Sequence, residues 1–375
     1  MKFELVATCL FGLEHLLGEE IEALGYERTN TINGRVTFIG DEEAVALANV
    51  SLRYAEHVFI KIGSFVATDF DMLFEGVRAL PWFLYIGKLD AFPVKGHSIK
   101  SSLHSIPDCQ AIIKKAIVKS LGAHYGMTVF PEENVKYQIE FFILNDVATL
   151  MIDTSGMPLH KRGYRPVSNA APIRETLAAA IAAQSRPREN VLFWDPLCGS
   201  GTIAIEAAML MKNIAPGMHR SFLAESFPFI PSHLWRDARE EARENIVKQT
   251  DFRVFASDID KECVELTWKN ALRAGVSDIL RSFVIDCRNI SAEGRRGTIV
   301  TNPPYGERLM TKSEAEELYR TMGRHFRSLA PWQVYIITSH PEFEKFYGCR
   351  ADKIKKLYNG MIPCYLYQFF KNPNK

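Results

Sequence analysis

The strongest constraint on the fold is an alternation that begins near Ala171 and runs to the end of the chain. Short apolar runs (Val191–Trp194, Arg253–Ser257, Phe283–Asp286, Thr298–Thr301, Val334–Thr338) alternate with helix-like stretches (Ile173–Ala183, the residues up to Lys212, Lys261–Ala274, Glu314–Leu329). Strands buried on both faces and separated by helices build a parallel, doubly wound sheet. The last two runs, Lys353–Tyr358 and Ile362–Phe370, flank Asn359-Gly360. Asn-Gly between two strand-like runs marks a hairpin, so the parallel sheet should close on an antiparallel pair.

The first 165 residues read differently. Strands are expected at Lys2–Ala7, Arg35–Ile39 and His57–Val66, and helices at Phe11–Leu24, Asp41–Leu52 and Phe70–Leu80. Beyond Pro107 and Asp108, the stripe Ile112, Ile113, Ala116, Ile117 and Leu121 predicts a helix with its lysines outward. Val135–Leu144 and Val147–Asp153 form a hairpin-like pair turning at Asn145-Asp146. This is an α+β region of two small subdomains. A connector from Gly156 to Ala171, broken by Gly and Pro and without hydrophobic period, leads to the alternating half.

At 375 residues the chain is long enough for two or three domains. Its 47% hydrophobic and 24% charged content excludes disorder throughout. No apolar run spans a bilayer, and Met1–Leu5 does not read as a signal peptide. The seven cysteines are scattered, with no pair at zinc or disulfide spacing, so no metal is expected and a reducing, cytoplasmic setting is. Residues 1–165 hold 16 Lys+Arg against 20 Asp+Glu, so neither half is strongly basic and a nucleic acid would need local patches. Two patches qualify. One spans Lys88 to Phe130, a local +4 that includes Lys114, Lys115 and Lys119; it is either a solvated helix face or a phosphate-binding one. The other is Lys161-Arg162-Gly163-Tyr164-Arg165, either a polar hinge or a substrate-contacting strip between two domains.

Four strand ends carry candidate chemistry. Asp195-Pro196-Leu197-Cys198-Gly199-Ser200-Gly201-Thr202 follows a strand and opens a helix. Its glycines let the backbone approach a ligand, and Thr202 can cap the helix. Without a Gly-Lys-Thr it is not a P-loop. Asp258-Ile259-Asp260 ends the next strand, where an acidic side chain grips a ribose diol; the alternative is Asp258 as a helix N-cap. The wide spacing between these two sites comes from an insert, Asn213–Thr250. Asp286 ends the third strand and is either an acceptor for an adenine amine or a cap.

Asn302-Pro303-Pro304-Tyr305 ends the fourth strand. An aromatic amine is a poor nucleophile because its lone pair is delocalised into the ring. The Asn side-chain oxygen and the Pro303 carbonyl can accept its two hydrogens, localising the lone pair toward an incoming methyl group. Tyr305 offers a face for stacking. No general base is required, because the amine can lose its proton after attack.

The segments Asp195–Thr202 and Asn302–Tyr305, in this order, resemble the cofactor and catalytic motifs of class I S-adenosylmethionine-dependent amino-methyltransferases. Ala171-Pro172-Ile173-Arg174-Glu175-Thr176-Leu177-Ala178-Ala179-Ala180, the N-terminal region and Arg162-Gly163-Tyr164-Arg165 resemble the THUMP-domain RNA guanine-N2 methyltransferases. The resemblance implies a ferredoxin-like subdomain at 1–55, a THUMP domain at 56–155, a linker at 156–170 and a Rossmann-like methyltransferase domain at 171–375. That last domain would carry a seven-stranded, mostly parallel sheet with an antiparallel final hairpin. It implies S-adenosylmethionine as cofactor and a structured RNA, rRNA or tRNA, as partner. By resemblance Asp195, Gly199 and Gly201 line the methionine end, with Pro196, Cys198, Ser200 and Thr202 beside them. Asp258 holds the ribose and Asp286 faces the adenine, Ile259 and Cys287 are further cofactor-binding residues, and Pro172 and Thr176 touch the cofactor from the preceding helix. Asn302, Pro303, Pro304 and Tyr305 receive the base. RNA contacts are expected at Lys114, Lys115, Lys119, Lys161, Arg162 and Arg165, with Arg288, Arg295, Arg296 and Arg308 as alternatives near the tetrad.

The resulting expectation is methyl transfer to the exocyclic N2 of a guanine in 23S rRNA; the alternative is guanine-6 of tRNA. A DNA adenine-N6 methyltransferase would share the tetrad without using an RNA-binding half. A protein-amide methyltransferase would do the same, and a non-catalytic RNA binder would not keep both motifs intact.

Overall fold

The computed structural model describes residues 1–166, 173–305 and 310–370. The N-terminal half is one mixed seven-stranded sheet. Its elements are β1 (Phe3–Cys9), α1 (Glu14–Ala23), β2 (Arg28–Ile32), β3 (Arg35–Gly40), α2 (Glu42–Ser51), β4 (Ala55–Val66), α3 (Phe70–Arg78), β5 (Val94–Ile99), α4 (Ile106–Tyr125), β6 (Ile139–Leu144) and β7 (Val147–Asp153). The strand order is β2-β3-β1-β4-β7-β6-β5, antiparallel except for β5 beside β6. The two expected subdomains are thus joined: β4 pairs with β1 on one side and β7 on the other. The helix expected at 41–52 is capped by Asp41, whose carboxylate accepts from the Ala44 amide.

The C-terminal half comprises α5 (Glu175–Gln184), β8 (Leu192–Asp195), α6 (Thr202–Met211), α7 (Ser232–Glu244), β9 (Val254–Asp258), α8 (Lys261–Arg273), β10 (Leu280–Val284), β11 (Gly297–Thr301), α9 (Lys312–Ser328), β12 (Gln333–Thr338), α10 (Phe343–Tyr347), β13 (Lys353–Asn359) and β14 (Ile362–Phe369). The order is β10-β9-β8-β11-β12-β14-β13. Five parallel strands are followed by the antiparallel hairpin expected at Asn359-Gly360. The carboxyl ends of β8, β9, β10 and β11 therefore share one edge, the position where open α/β sheets bind ligands.

The insert between α6 and β9 holds the two halves together. The Gly217 amide donates to the Val50 carbonyl (2.8 Å), and a Cβ at Gly217 would sit 2.5 Å from the Asn49 carbonyl oxygen. Leu223 and Ala224 amides donate to Ser155 and Thr154 carbonyls. Phe227 stacks on Tyr137 at 4.5 Å, and Phe229 meets Phe3 and Tyr85. One apolar core runs through both halves.

Candidate active site

The Gly-rich turn is built by backbone hydrogen bonds and braced from behind by α8. The Cys198 amide donates to the Ser257 carbonyl (2.9 Å) and the Gly201 amide to the Cys198 carbonyl (2.7 Å). Gly199 and Gly201 have φ of 53° and 80°, and a Cβ on Gly201 would lie 2.6 Å from the Thr267 side chain. Only glycine fits there at low cost. The Thr267 hydroxyl donates to the Gly199 carbonyl and the Asn270 amide to the Ser200 carbonyl, both at 3.0 Å. Thr267 and Asn270 are wholly buried. Sequence reading missed both; the signal available was two polar residues three apart on the inward face of an otherwise solvated helix.

Asp195 closes β8 and is buried. Its carboxylate accepts from the Thr301 hydroxyl (2.7 Å) and the Leu197 amide (3.3 Å). Burial pushes its carboxyl up to about 7, against the pull of those hydrogen bonds. Asp258 is not a helix cap. One carboxylate oxygen accepts from the Gly199 amide and the other from the Asp260 amide, both at 3.0 Å. Asp260 caps α8 instead. Asp258 thus ties the end of β9 to the turn after β8, and Ile259 beside it is largely exposed.

Thr202 does not cap α6 either. Gly201 occupies that position without a side-chain bond, and the Thr202 hydroxyl accepts from Arg165 Nη1 (2.6 Å). β10 stops at Val284, and Asp286 caps a short turn at Cys287–Asn289. Its carboxylate accepts from Arg288 Nε (2.8 Å), a pairing that holds it below the usual carboxylate range. Cys198 and Cys287 are buried. Burial pushes both thiols up, that of Cys287 to about 12, so neither is a thiolate nucleophile.

Asn302 to Tyr305 follow β11 on the same edge. The Tyr305 hydroxyl donates to the Asn302 side-chain oxygen and lies against Cys364 of β14. Tyr319 of α9, wholly buried, donates to the Pro304 carbonyl (2.7 Å) and braces the tetrad from below.

Thr176 stands in the first turn of α5, and its hydroxyl is committed to Glu56 Oε1 of β4 (2.6 Å). Glu56 also accepts from His160 Nδ1 and Arg174 Nη1, each at 2.8 Å. Pro172 and Arg308 lie outside the described residues.

The expected RNA contacts divide. Arg162 is buried: it donates to the carbonyls of Leu159 and Arg53 and faces Glu206. Arg165 donates to the Ile173 carbonyl and to Thr202 and pairs with Glu175 at 2.9 Å. Tyr164 between them is buried on Glu206. These cations compensate buried carboxylates at the junction of the two halves, so Arg162 and Arg165 do not form a surface strip. Lys161 is exposed, and its carbonyl accepts from Arg220. On α4, Lys114 is held by Glu132, the Phe92 carbonyl and the Phe92 ring, whereas Lys115 and Lys119 are exposed.

A parallel sheet whose first turn is glycine-rich, with acidic side chains at the next strand ends and Asn-Pro-Pro-Tyr at the fourth, defines a methyltransferase of the doubly wound class. Comparison with known proteins agrees. Residues 162–368 match the RMKL-like methyltransferase domain, residues 4–59 the RlmL ferredoxin-like domain and residues 67–153 the THUMP domain. The chain is 42% identical to the Bacillus subtilis protein named "Putative RNA methyltransferase YpsC", over 98% of this chain and 96% of that one. It is 33% identical to the ribosomal RNA large subunit methyltransferase K/L of Psychromonas ingrahamii, covering 97% of this chain but 50% of that protein. The structure described as "SMU.472, a putative methyltransferase complexed with SAH" is 41% identical and superposes with a TM-score of 0.92 over 98% of each chain. The chain belongs to the THUMP-containing, RlmL-like RNA methyltransferase family.

Proposed function

We propose that this protein methylates the exocyclic N2 of a guanine in 23S rRNA, with S-adenosylmethionine as donor. The observation that carries the reading is the convergence of Asp195, the Gly199–Gly201 turn, Asp258, Asp286 and Asn302 on one sheet edge, beside a THUMP-bearing sheet. The cradle suits the cofactor: Gly199 and Gly201 allow the turn its positive φ, and carboxylates stand at the ends of the first two strands. Support for the ribosomal target comes from the K/L relative, half of whose length this chain spans.

When bound, S-adenosylmethionine supplies an electrophilic methyl group on a sulfonium sulfur. Asp195 would hold the amino group of the methionine end and Asp258 the ribose diol. The exposed Ile259 side chain offers an apolar flank to the adenine, and Asp286 an acceptor. Asn302 Oδ1 takes one hydrogen of the guanine amine and the Pro303 carbonyl the other, holding the lone pair in line. The Tyr305 hydroxyl takes one lone pair of Asn302 Oδ1 and leaves the second for the amine, while the Tyr305 ring is the stacking face. The guanine must leave its stack to reach this edge.

The test is transfer of tritiated methyl to total RNA from cells lacking the protein, followed by nucleoside analysis. N2-methylguanosine in large-subunit rRNA is expected. The same nucleoside in tRNA favours the guanine-6 alternative, and no label in any RNA overturns the reading.

A further inference from the structure

With Arg162 buried and Arg165 committed to Glu175, Thr202 and the Ile173 carbonyl, the RNA strand next to the target base needs another basic surface at the catalytic edge. Topology supplies one. β14 runs antiparallel to β12, with Tyr365 opposite Thr338 at the carboxyl end of β12. β11 runs parallel to β12, with Thr301 beside Ile336. The turn Asn359-Gly360-Met361 therefore lies at the same end of the sheet as Asn302. The contact between Tyr305 and Cys364 joins this hairpin directly to the tetrad.

β13 is the outer strand of the catalytic sheet and carries Lys353, Lys355 and Lys356. Lys356 lies over the Tyr358 ring, its ammonium 5.4 Å from the centroid. Tyr358 in turn meets the edge of Phe11 from the N-terminal half, with centroids 5.6 Å apart and planes at 79°. Phe11 remains 49% exposed and Met361 at the hairpin tip 92% exposed. Arg174 completes the surface: its amide donates to Asn359 Oδ1 (3.4 Å), and Glu56 orients its guanidinium while leaving the side chain 38% exposed. Glu14, an acid on the N-terminal side, is committed to the Gly12 and Gly34 amides. A partly exposed aromatic pair flanked by cations has the composition of a single-strand platform, where rings stack bases and ammonium groups meet phosphates.

We propose that Phe11, Tyr358 and Lys356, with Met361 and Arg174, form a docking surface for the single-stranded RNA nucleotides adjacent to the flipped guanine. The surface spans both halves of the molecule, so it exists only when the N-terminal sheet is seated on the catalytic domain. It rests on the reading of the chain as an RNA methyltransferase and adds to it the place where the flanking strand is held.

The experiment uses the full chain. Binding of a fluorescein-labelled, mixed-sequence single-stranded RNA 12-mer is followed by anisotropy for the wild type, Phe11→Ala, Phe11→Trp and Lys356→Glu. Phe11→Ala should weaken binding by about fivefold or more, as for loss of one stacked base. Phe11→Trp should bind within about twofold of wild type, since a stacking face is kept. Lys356→Glu should weaken binding and flatten the salt slope by roughly 0.7, the share of a single phosphate. Unchanged affinity for S-adenosylhomocysteine in each variant shows that the fold is intact, and KM for total RNA should rise in parallel with kcat nearly constant. Wild-type affinity and salt slope in both Phe11→Ala and Lys356→Glu overturn the proposal, as does Phe11→Trp binding as poorly as Phe11→Ala. A wild-type enzyme that transfers no methyl to any RNA overturns the function itself. A wild type that transfers normally, with variants of unchanged KM, overturns only this surface.

Discussion

The hydroxyl of Tyr305 donates to the side-chain oxygen of Asn302, so the acceptor assigned to the substrate amine is already engaged by its own motif. That oxygen has a second lone pair, so on the proposed reading it can hold the Tyr305 hydroxyl and the substrate amine together. Asn302→Ala should lower kcat on the order of 100-fold or more with cofactor affinity nearly intact, as for other preorganised polar groups. Tyr305→Phe keeps the ring and removes only the hydroxyl on Asn302, so its kcat should stay within a few-fold of wild type. Rapid-quench turnover beside calorimetry with S-adenosylhomocysteine checks both; near-normal turnover in Asn302→Ala removes it from the mechanism.

Asp258 holds the Gly199 and Asp260 amides with the carboxylate that the proposed function assigns to the ribose diol. Asp258→Ala should weaken cofactor binding by roughly 2–3 kcal/mol, the scale of lost charge-assisted hydrogen bonds. Calorimetry with unchanged affinity would assign Asp258 to the turn alone.

The catalytic sheet and both of its motifs are legible because their signals are local: apolar runs, glycines at a turn, an Asn-Pro-Pro-Tyr at a strand end. The strands β2 and β5 are not. The first is the polar Arg28–Ile32 at a sheet edge and the second contains Gly96, so neither shows alternation. The connector misleads for a physical reason. Arg162 and Arg165 look like a basic strip, yet Glu206 and Glu175 in the following helices are their partners. A cation's role depends on the carboxylate that folding brings to it, and that partner stands 10 residues away for Arg165 but 44 for Arg162. Thr267 and Asn270 escape notice likewise, because their carbonyl partners lie about 70 residues earlier.

Glu56 joins the N-terminal sheet to the start of α5. Burial raises its carboxyl, but hydrogen bonds from His160 and Thr176 and the charges of His160 and Arg174 outweigh that and bring it down to about 2. A carboxyl depressed on folding contributes stability that is complete above its ordinary value and lost as pH falls from about 4.5 toward 2. The contribution is on the order of 3 kcal/mol. Urea titrations at pH 7 and pH 3 should show Glu56→Gln less stable at pH 7, with the gap closing at pH 3. A gap that is the same at both pH values would deny the charge its role.

Lys115 and Lys119 are exposed on α4, whereas Lys114 is held by Glu132 and Phe92. Lys115→Glu with Lys119→Glu should raise KM for RNA and flatten its salt dependence, by roughly 0.7 for each phosphate no longer neutralised, without changing kcat. Lys114→Glu should instead lower the melting temperature. Wild-type salt dependence in the double variant would make α4 a solvated face.

The Asp195 carboxyl is pushed up to about 7, first by burial and further by the charge of Asp258, with Thr301 and Leu197 pulling the other way. In the free protein the group is therefore half protonated near neutrality. The methionine end of the cofactor carries an ammonium, which favours the ionised carboxylate. Cofactor affinity should then rise with pH through about 7 and level off above it. For a single group titrating at 7, the ionised fraction changes about tenfold between pH 6 and pH 8, and Kd for S-adenosylhomocysteine should fall by about the same factor. The free protein should behave oppositely: a carboxyl raised on folding binds its proton more tightly than in the unfolded chain, so this group's contribution to stability declines as pH climbs from about 4 to 7. Asp195→Asn separates the two effects, since it keeps an acceptor for the Thr301 hydroxyl and removes the titration. Calorimetry at pH 6, 7 and 8 should give it a weak and pH-independent Kd. A wild-type Kd that does not change across this range would place the ammonium elsewhere and leave Asp195 as a brace between β8 and β11.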